Sequence, residues 1–114
     1  MAANQETRGE VTDTGLHVDK IVADLTAFQH NVLIVLTGLT EPHGLRIKHE
    51  LEDYYDSDVN HGRLYPNLDD LVSDGLIRKG EIDKRTNSYD ITEKGRRALL
   101  TRRDWEETYF NSDN

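Results

Sequence analysis

Residues 60–77, NHGRLYPNLDDLVSDGLI, carry leucines at 64, 68 and 71 with Val72 beside them. That three-and-four spacing is one face of an amphipathic helix. Gly75 closes the run, because glycine accepts the left-handed conformation in which helices end. The front of the run is unusual. Gly62 precedes it, Pro66 lies just inside it, and Arg63, Tyr65 and Asn67 crowd its first turns. Proline has no N–H, so Pro66 is expected near the start of the regular helix, where amides are unpaired anyway.

The flanking segments give this helix its context. Val18, Ile21, Val22 and Leu25 follow a helical period, as a short amphipathic helix or an extension of the next one. Thr26 and Gln29 have the spacing of a capping box and predict a helix start there. Phe28, Val32, Val35, Leu36 and Leu39 share one side of it, and Gly38 permits a stop. A further helix follows Glu41-Pro42, with the proline in its first turn and Leu45, Ile47, Leu51 and Tyr55 as apolar contacts. YDSDVNHG reads as a loop before the helix quoted above.

Beyond Gly75 the pattern changes. LIRKGEI and SYDIT read as strands around the polar tip DKRTN. Thr92 caps a last helix through EKGRRALLTRRDWEETYF. The expected fold is mainly α with a β-hairpin (α+β). Three helices and a hairpin make a winged helix-turn-helix, followed by a C-terminal helix. Residues 1–14 are expected to be a flexible tail, 15–92 the winged helix-turn-helix with its N-terminal helical extension, and 93–114 a dimerisation helix.

The chain has 114 residues, enough for one domain with a modest core. It has no cysteine, which excludes disulfides, thiolate metal sites and thiol sensing. No apolar run approaches the roughly 18 residues of a membrane span, and no secretory signal precedes the domain, so a cytoplasmic location without membrane contact is expected. Its 13 Asp, 9 Glu, 9 Arg and 5 Lys suggest an acidic, lysine-poor surface adapted to high salt. Charge is uneven: residues 1–62 carry a net −7, residues 63–103 a net +3, and residues 104–114 only acidic charges. Such asymmetry can mark a footprint for a polyanion.

In a helix-turn-helix the first turns of the second helix enter the major groove, the groove that distinguishes all four base pairs. Arg63, Asn67 and Asp70 follow i, i+4, i+7 on a side neighbouring the leucines that can face outward. Arg63 suits bidentate contact with guanine and Asn67 with adenine. His61 and Tyr65 suit phosphates, although Tyr65 could equally pack beneath the helix and Arg63 pair with Asp58 or Asp70. Lys84 and Arg85 sit at the expected wing tip, with Arg78 and Lys79 at its base. Double-stranded DNA is therefore the expected partner. Bound cations are expected between acidic groups and phosphates, because counterion release drives little binding in molar salt. Trp105, Tyr109 and Phe110 exceed what a small monomer core covers. With Leu99, Val18, Ile21 and Val22 they form the expected homodimer interface, the alternative being packing on the first helix within one chain.

PHGLRIKHEL, GRLYPNLDDLVSDGLI and NSYDITEKGRRAL resemble the three blocks of the PadR family of transcriptional regulators over about residues 26–100. Gly62, Leu64, Tyr65 and Pro66 are the most specific part of the resemblance, reinforced by Gly75-Leu76-Ile77 and by Tyr89 through Thr92 with Gly95. With the acidic composition, the chain looks like a haloarchaeal member. The resemblance implies a DNA-binding homodimer on a roughly palindromic operator, dimerised through the C-terminal helix. For a haloarchaeal member, a stress response to reactive oxygen at high salt is a further expectation. Asp69 and Asp70 stand where the family commonly has a basic residue, which makes this recognition helix less cationic. An enzyme is not expected. The histidines at 17, 30, 43, 49 and 61 lack metal-ligand spacing, and no metal site or cofactor is expected. The alternative is a dimeric winged-helix adaptor that binds proteins without reading DNA.

Overall fold

The computed structural model describes residues 16–111. The expected tail at 1–14 and the last three residues lie outside that range. Five helices and one hairpin follow in order: α1 (Leu16–Asp24), α2 (Ala27–Thr37), α3 (Gly44–Tyr55), α4 (His61–Ser73), β1 (Ile77–Asp83), β2 (Thr86–Ile91) and α5 (Glu93–Phe110). This is the expected winged helix-turn-helix, with α3 and α4 as the turn motif and β1–β2 as the wing.

Local signals set several boundaries. The Thr26–Gln29 capping box forms completely, with Gln29 N–H donating to Thr26 Oγ1 and Thr26 N–H to Gln29 Oε1, both at 3.0 Å. Gly75, at φ 77°, ends α4. The Leu76 N–H donates to the Leu71 carbonyl and the Gly75 N–H to the Val72 carbonyl, the paired bonds of a Schellman motif. Thr92 Oγ1 accepts the Gly95 N–H and so starts α5.

Two boundaries differ from expectation. Pro42 lies outside α3, which begins at Gly44. The Pro42 carbonyl accepts the Tyr89 N–H at 2.9 Å, and His43 bridges Ser88 in antiparallel register. Residues 42–43 thus flank β2 as a rudimentary third strand, which holds the backbone extended. The start of α4 also moves, to His61, with Asn60 as its cap. Pro66 is therefore the sixth helical residue rather than part of the opening turn. It has no N–H to give the Gly62 carbonyl.

The core joins α2, α3, α4, the hairpin base and α5. Val32, Leu33, Leu36, Ile47, Leu51, Leu64, Leu68, Leu71 and Leu76 are fully enclosed. Each such leucine contributes roughly 1.5–3 kcal/mol by burial. Val59 anchors the loop between α3 and α4. Glu52 holds that loop from the outside, accepting the Val59 N–H at 2.9 Å and the Lys48 ammonium at 2.7 Å.

Those bonds, the one from Lys48 first, hold the Glu52 carboxyl below its ordinary range. A depressed carboxylate stabilises the fold above its unfolded-state pKa and loses that contribution as pH falls through the lower folded value. Glu52→Gln should therefore flatten the acid limb of a stability-versus-pH curve below about pH 4.5. Thermal unfolding between pH 3 and 7 reads this directly. An unchanged slope would show that the loop does not depend on the charge.

α1 packs along α5 of its own chain. Val18 and Val22 are buried there, and Ile21 is half-buried. Val18 and Val22 thus pack within the chain, the alternative weighed for these helices, and Val22 keeps only an edge on a groove beside Trp105. On α5 itself, Leu99 is half-buried, whereas Trp105, Tyr109 and Phe110 are 56%, 68% and 81% exposed.

Candidate nucleic-acid interface

Leu64, Leu68 and Leu71 pin one side of α4 to the core. At 100° per residue the opposite side carries Gly62, Pro66, Asp69 and Ser73, all exposed. The outermost stripe is therefore small or acidic. Arg63 and Asn67 lie on the flank neighbouring those leucines, Arg63 exposed and Asn67 half-buried, and both turn toward α2. The Arg63 guanidinium sits 4.0 Å from the Phe28 ring centroid and 5.8 Å from that of Tyr55. Among the described residues it joins no ion pair, so the pairing with Asp58 or Asp70 does not form.

Asn67 is engaged on both side-chain atoms. Its Oδ1 accepts from Gln29 Nε2 at 3.0 Å, and its Nδ2 donates to the Arg63 carbonyl at 2.8 Å. A bidentate contact with adenine needs both atoms. Asn67 as found is a brace between α2 and α4 that fixes the backbone of Arg63. Gln29, legible only as a capping residue, supplies the other half of that brace.

Tyr65 resolves toward packing. It is half-buried, and a methyl group at Gly44 would fall 2.8 Å from its Cε1. Gly44 thus lets the α4 ring lie across the start of α3. His61 is exposed and stacks on Tyr65 with ring centroids 5.5 Å apart. The Cβ that Gly62 lacks would press to 3.0 Å on the capping Asn60 Oδ1. The glycine therefore serves the helix cap, besides leaving the backbone bare.

The wing separates its cations into two pairs. At the base, Arg78 donates to Asp90 at 3.0 Å, directly across the strands, and Lys79 lies 3.9 Å from Asp69 of α4. At the tip, Lys84 and Arg85 form the two-residue turn, held by the Arg85 N–H donating to Asp83 Oδ1. Both tip side chains are exposed, and neither is in an ion pair among the described residues.

A cleft of about 210 Å³ lies between the start of α3 and the wing, bordered by His43, Tyr65, Arg85 and Asn87. His43 caps α3 without a side-chain bond, and the first two helical residues, Gly44 and Leu45, line this cleft. The start of α4 differs in that Asn60 Oδ1 accepts the Arg63 N–H at 3.2 Å. Tyr89 closes the cleft floor, and burial, aided by the charge of Asp69, pushes its hydroxyl pKa up, so it remains a neutral donor.

The arrangement sets a helix flank, an uncapped helix start and a two-residue cationic tip around one cleft. Among the described residues no cluster of His, Cys, Asp and Glu could hold a metal ion, and no helix is long and apolar enough to cross a membrane.

Comparison with solved structures agrees with this architecture. A complex structure of the regulator RosR (hsRosR-S1) is 53% identical, covers 81% of each chain and superposes with a TM-score of 0.76. A Halobacterium salinarum RosR crystal structure grown from NaBr is 54% identical, covering 80% of this chain and 82% of that one, with a TM-score of 0.74. F93 from STIV, a winged-helix DNA-binding protein, shares the fold at a TM-score of 0.60 with 23% identity, covering 75% of this chain and 92% of its own. A search of curated proteins gives no significant match. Residues 32–101 match the transcriptional regulator PadR-like family, and the chain belongs to that family of winged-helix regulators.

Proposed function

We propose that this regulator works in the cytoplasm as a homodimer that binds double-stranded DNA sequence-specifically at a roughly palindromic operator. The observation that carries this reading is the wing tip. Lys84 and Arg85 are the wing cations without an ion-pair partner among the described residues, and Arg85 borders the cleft beside α3 and α4. In this arrangement α4 enters the major groove while the tip holds flanking phosphates or the minor groove. Arg63 reaches base edges only by leaving Phe28, which costs about 0.5–1 kcal/mol of cation–π contact. His61 and the base cations Arg78 and Lys79 serve as peripheral phosphate contacts. Similarity to RosR and the Asp-rich composition support a role in a reactive-oxygen stress response at high salt. The chain has no cysteine, so the signal does not act on a thiol.

Selection of bound sequences from a random duplex pool tests the reading. Two inverted half-sites about one helical turn apart, roughly 34 Å, are expected. A pool that returns no motif would favour the adaptor reading.

Asp70 on the exposed side of α4 gives the proposed cations a place, because a bare carboxylate there would repel phosphates, whereas Asp69 is offset by Lys79. Operator affinity should then vary weakly with KCl between 0.5 and 3 M, or pass through a maximum, instead of falling steeply. An Asp70→Asn variant should regain the steep, monotonic fall. A steep fall in the parent chain would argue against cation uptake.

A further inference from the structure

The first turn of α2 sets two consecutive residues, Phe28 and Gln29, against two residues one turn apart on α4, Arg63 and Asn67. The two contacts differ in kind. Arg63 is exposed, and its guanidinium stacks on Phe28 and Tyr55 at the end of a long, flexible stem. That head group can swing off the rings. Asn67 is half-buried on a short stem, and both ends of its amide are bonded.

The bonds through Asn67 form a chain with one direction. The Thr26 N–H donates to Gln29 Oε1 at 3.0 Å, Gln29 Nε2 donates to Asn67 Oδ1 at 3.0 Å, and Asn67 Nδ2 donates to the Arg63 carbonyl at 2.8 Å. Both ends are backbone groups, a fixed donor at Thr26 and a fixed acceptor at Arg63. Neither amide can turn over without setting two donors or two acceptors face to face. Gln29 therefore does two jobs with two atoms. Its oxygen closes the α2 cap, and its nitrogen fixes the orientation of Asn67. The chain ends beside a gap in the α4 ladder. Pro66 leaves the Gly62 carbonyl without its helical donor, and Asn67 adds a donor at the next carbonyl.

A contact with adenine needs the oxygen and the nitrogen of the Asn67 amide together. As the chain stands, that contact would exchange two existing bonds for two new ones, with no net gain. Without the bond from Gln29 the same exchange gains one bond, which is about fivefold in affinity.

We propose that Gln29 is a specificity-determining residue that acts through Asn67. It withholds the Asn67 amide from the groove. Arg63 is then the base-reading side chain of this flank, and the base pair beside its target stays unread. Gln29 is thus a positioning residue on a helix outside the turn motif, and the inference rests on the DNA-binding reading above.

Selection from a random duplex pool, run in parallel on the full-length parent and on single and paired Gln29→Ala and Asn67→Ala variants, tests this. Gln29→Ala keeps the Thr26 hydroxyl on the residue 29 N–H and gives up only a bond to an exposed backbone amide on the capping side. Its thermal midpoint should stay within a few degrees of the parent. It should acquire an adenine preference of about fivefold at one position of each half-site, adjacent to the position whose preference Arg63→Ala removes. The paired variant should lose that preference again. Asn67→Ala alone should bind more weakly yet return the parent motif. Gln29→Glu completes the set. Its carboxylate keeps the cap but can only accept, so Asn67 turns Nδ2 toward it and remains withheld. This variant should bind all duplexes more weakly, through the added charge, and show no new adenine preference. A uniform loss of affinity in Gln29→Ala, with the parent motif intact, would reduce Gln29 to a structural brace and overturn the proposal. So would the loss of an adenine preference from the parent motif in Asn67→Ala, because Asn67 would then be a reader already. A parent pool that returns no motif would refute sequence-specific reading itself, and this inference with it.

Discussion

Gly95→Ala should destabilise the fold by about 2–3 kcal/mol, although alanine is the better helix former. At most positions inside a helix the exchange gains up to about 1 kcal/mol. Here the added methyl would lie 2.7 Å from Ile91 Cγ1, 3.2 Å from the Leu76 carbonyl carbon, and closer still to the Leu76 carbonyl oxygen. The side chain could rotate away, but the carbonyl cannot. It accepts the Thr92 N–H at 3.1 Å and lies 3.0 Å from the Thr92 hydroxyl, which also donates to the Gly75 carbonyl. Relief requires α5 to lift from the hairpin base. Overpacking of this kind costs about 1–3 kcal/mol and more when backbone must move. For a domain of this size the midpoint of thermal unfolding should fall by about 10–20 °C at fixed protein concentration. Gly38→Ala is the control. Its nearest neighbour is an oxygen 3.8 Å away and its φ is −101°, so its midpoint should hold or rise slightly. Equal midpoints for the two variants would mean that the α5–hairpin seam is loose.

The seam around Gly95 also marks how far the sequence carries. Thr26 with Gln29, Gly75 with Leu76, and Thr92 were legible because each acts within one or two turns of itself. The order of elements follows from those signals and from apolar periodicity. Long-range partners were not legible. Pro42 reads as a helix residue until Ser88 and Tyr89, nearly fifty positions away, draw its backbone toward the hairpin. Pro66 reads as a helix start until Asn60 captures the cap. Val18 and Val22 read as interface residues or as packing against the last helix, and only the position of α5 selects the packing. The candidate site suffered most. Residue type suggested Arg63 and Asn67 as readers, yet their orientations are set by Phe28 and Gln29 on another helix. Pattern identifies which residues lie on α4 but cannot say which flank a neighbouring helix occupies. The wing tip fared better, because a two-residue turn leaves Lys84 and Arg85 little to touch.

Lys84→Ala combined with Arg85→Ala should weaken operator binding by about 2 kcal/mol, on the order of 30-fold, with dimerisation and thermal midpoint unchanged. In the proposed homodimer the loss doubles, since one double variant removes four cations from the proposed DNA interface. Neither side chain anchors the turn, which is held by the Arg85 backbone N–H on Asp83 and therefore survives truncation at Cβ. The loss should be similar for matched and mismatched duplexes, because phosphate contacts position the protein without reading bases. Arg78→Ala combined with Lys79→Ala provides the contrast. Those cations already neutralise Asp90 and Asp69, so their removal alters a compensated pair and should change affinity only a few-fold. Fluorescence anisotropy with a labelled operator at fixed KCl separates the two variants. If the base variant binds far worse than the tip variant, the phosphate contacts lie at the hairpin base and the tip points to solvent. Arg63→Ala adds the last distinction. A residue that reads a base should lose affinity for the operator while keeping most of its affinity for random duplex, whereas one that only stacks on Phe28 should change neither.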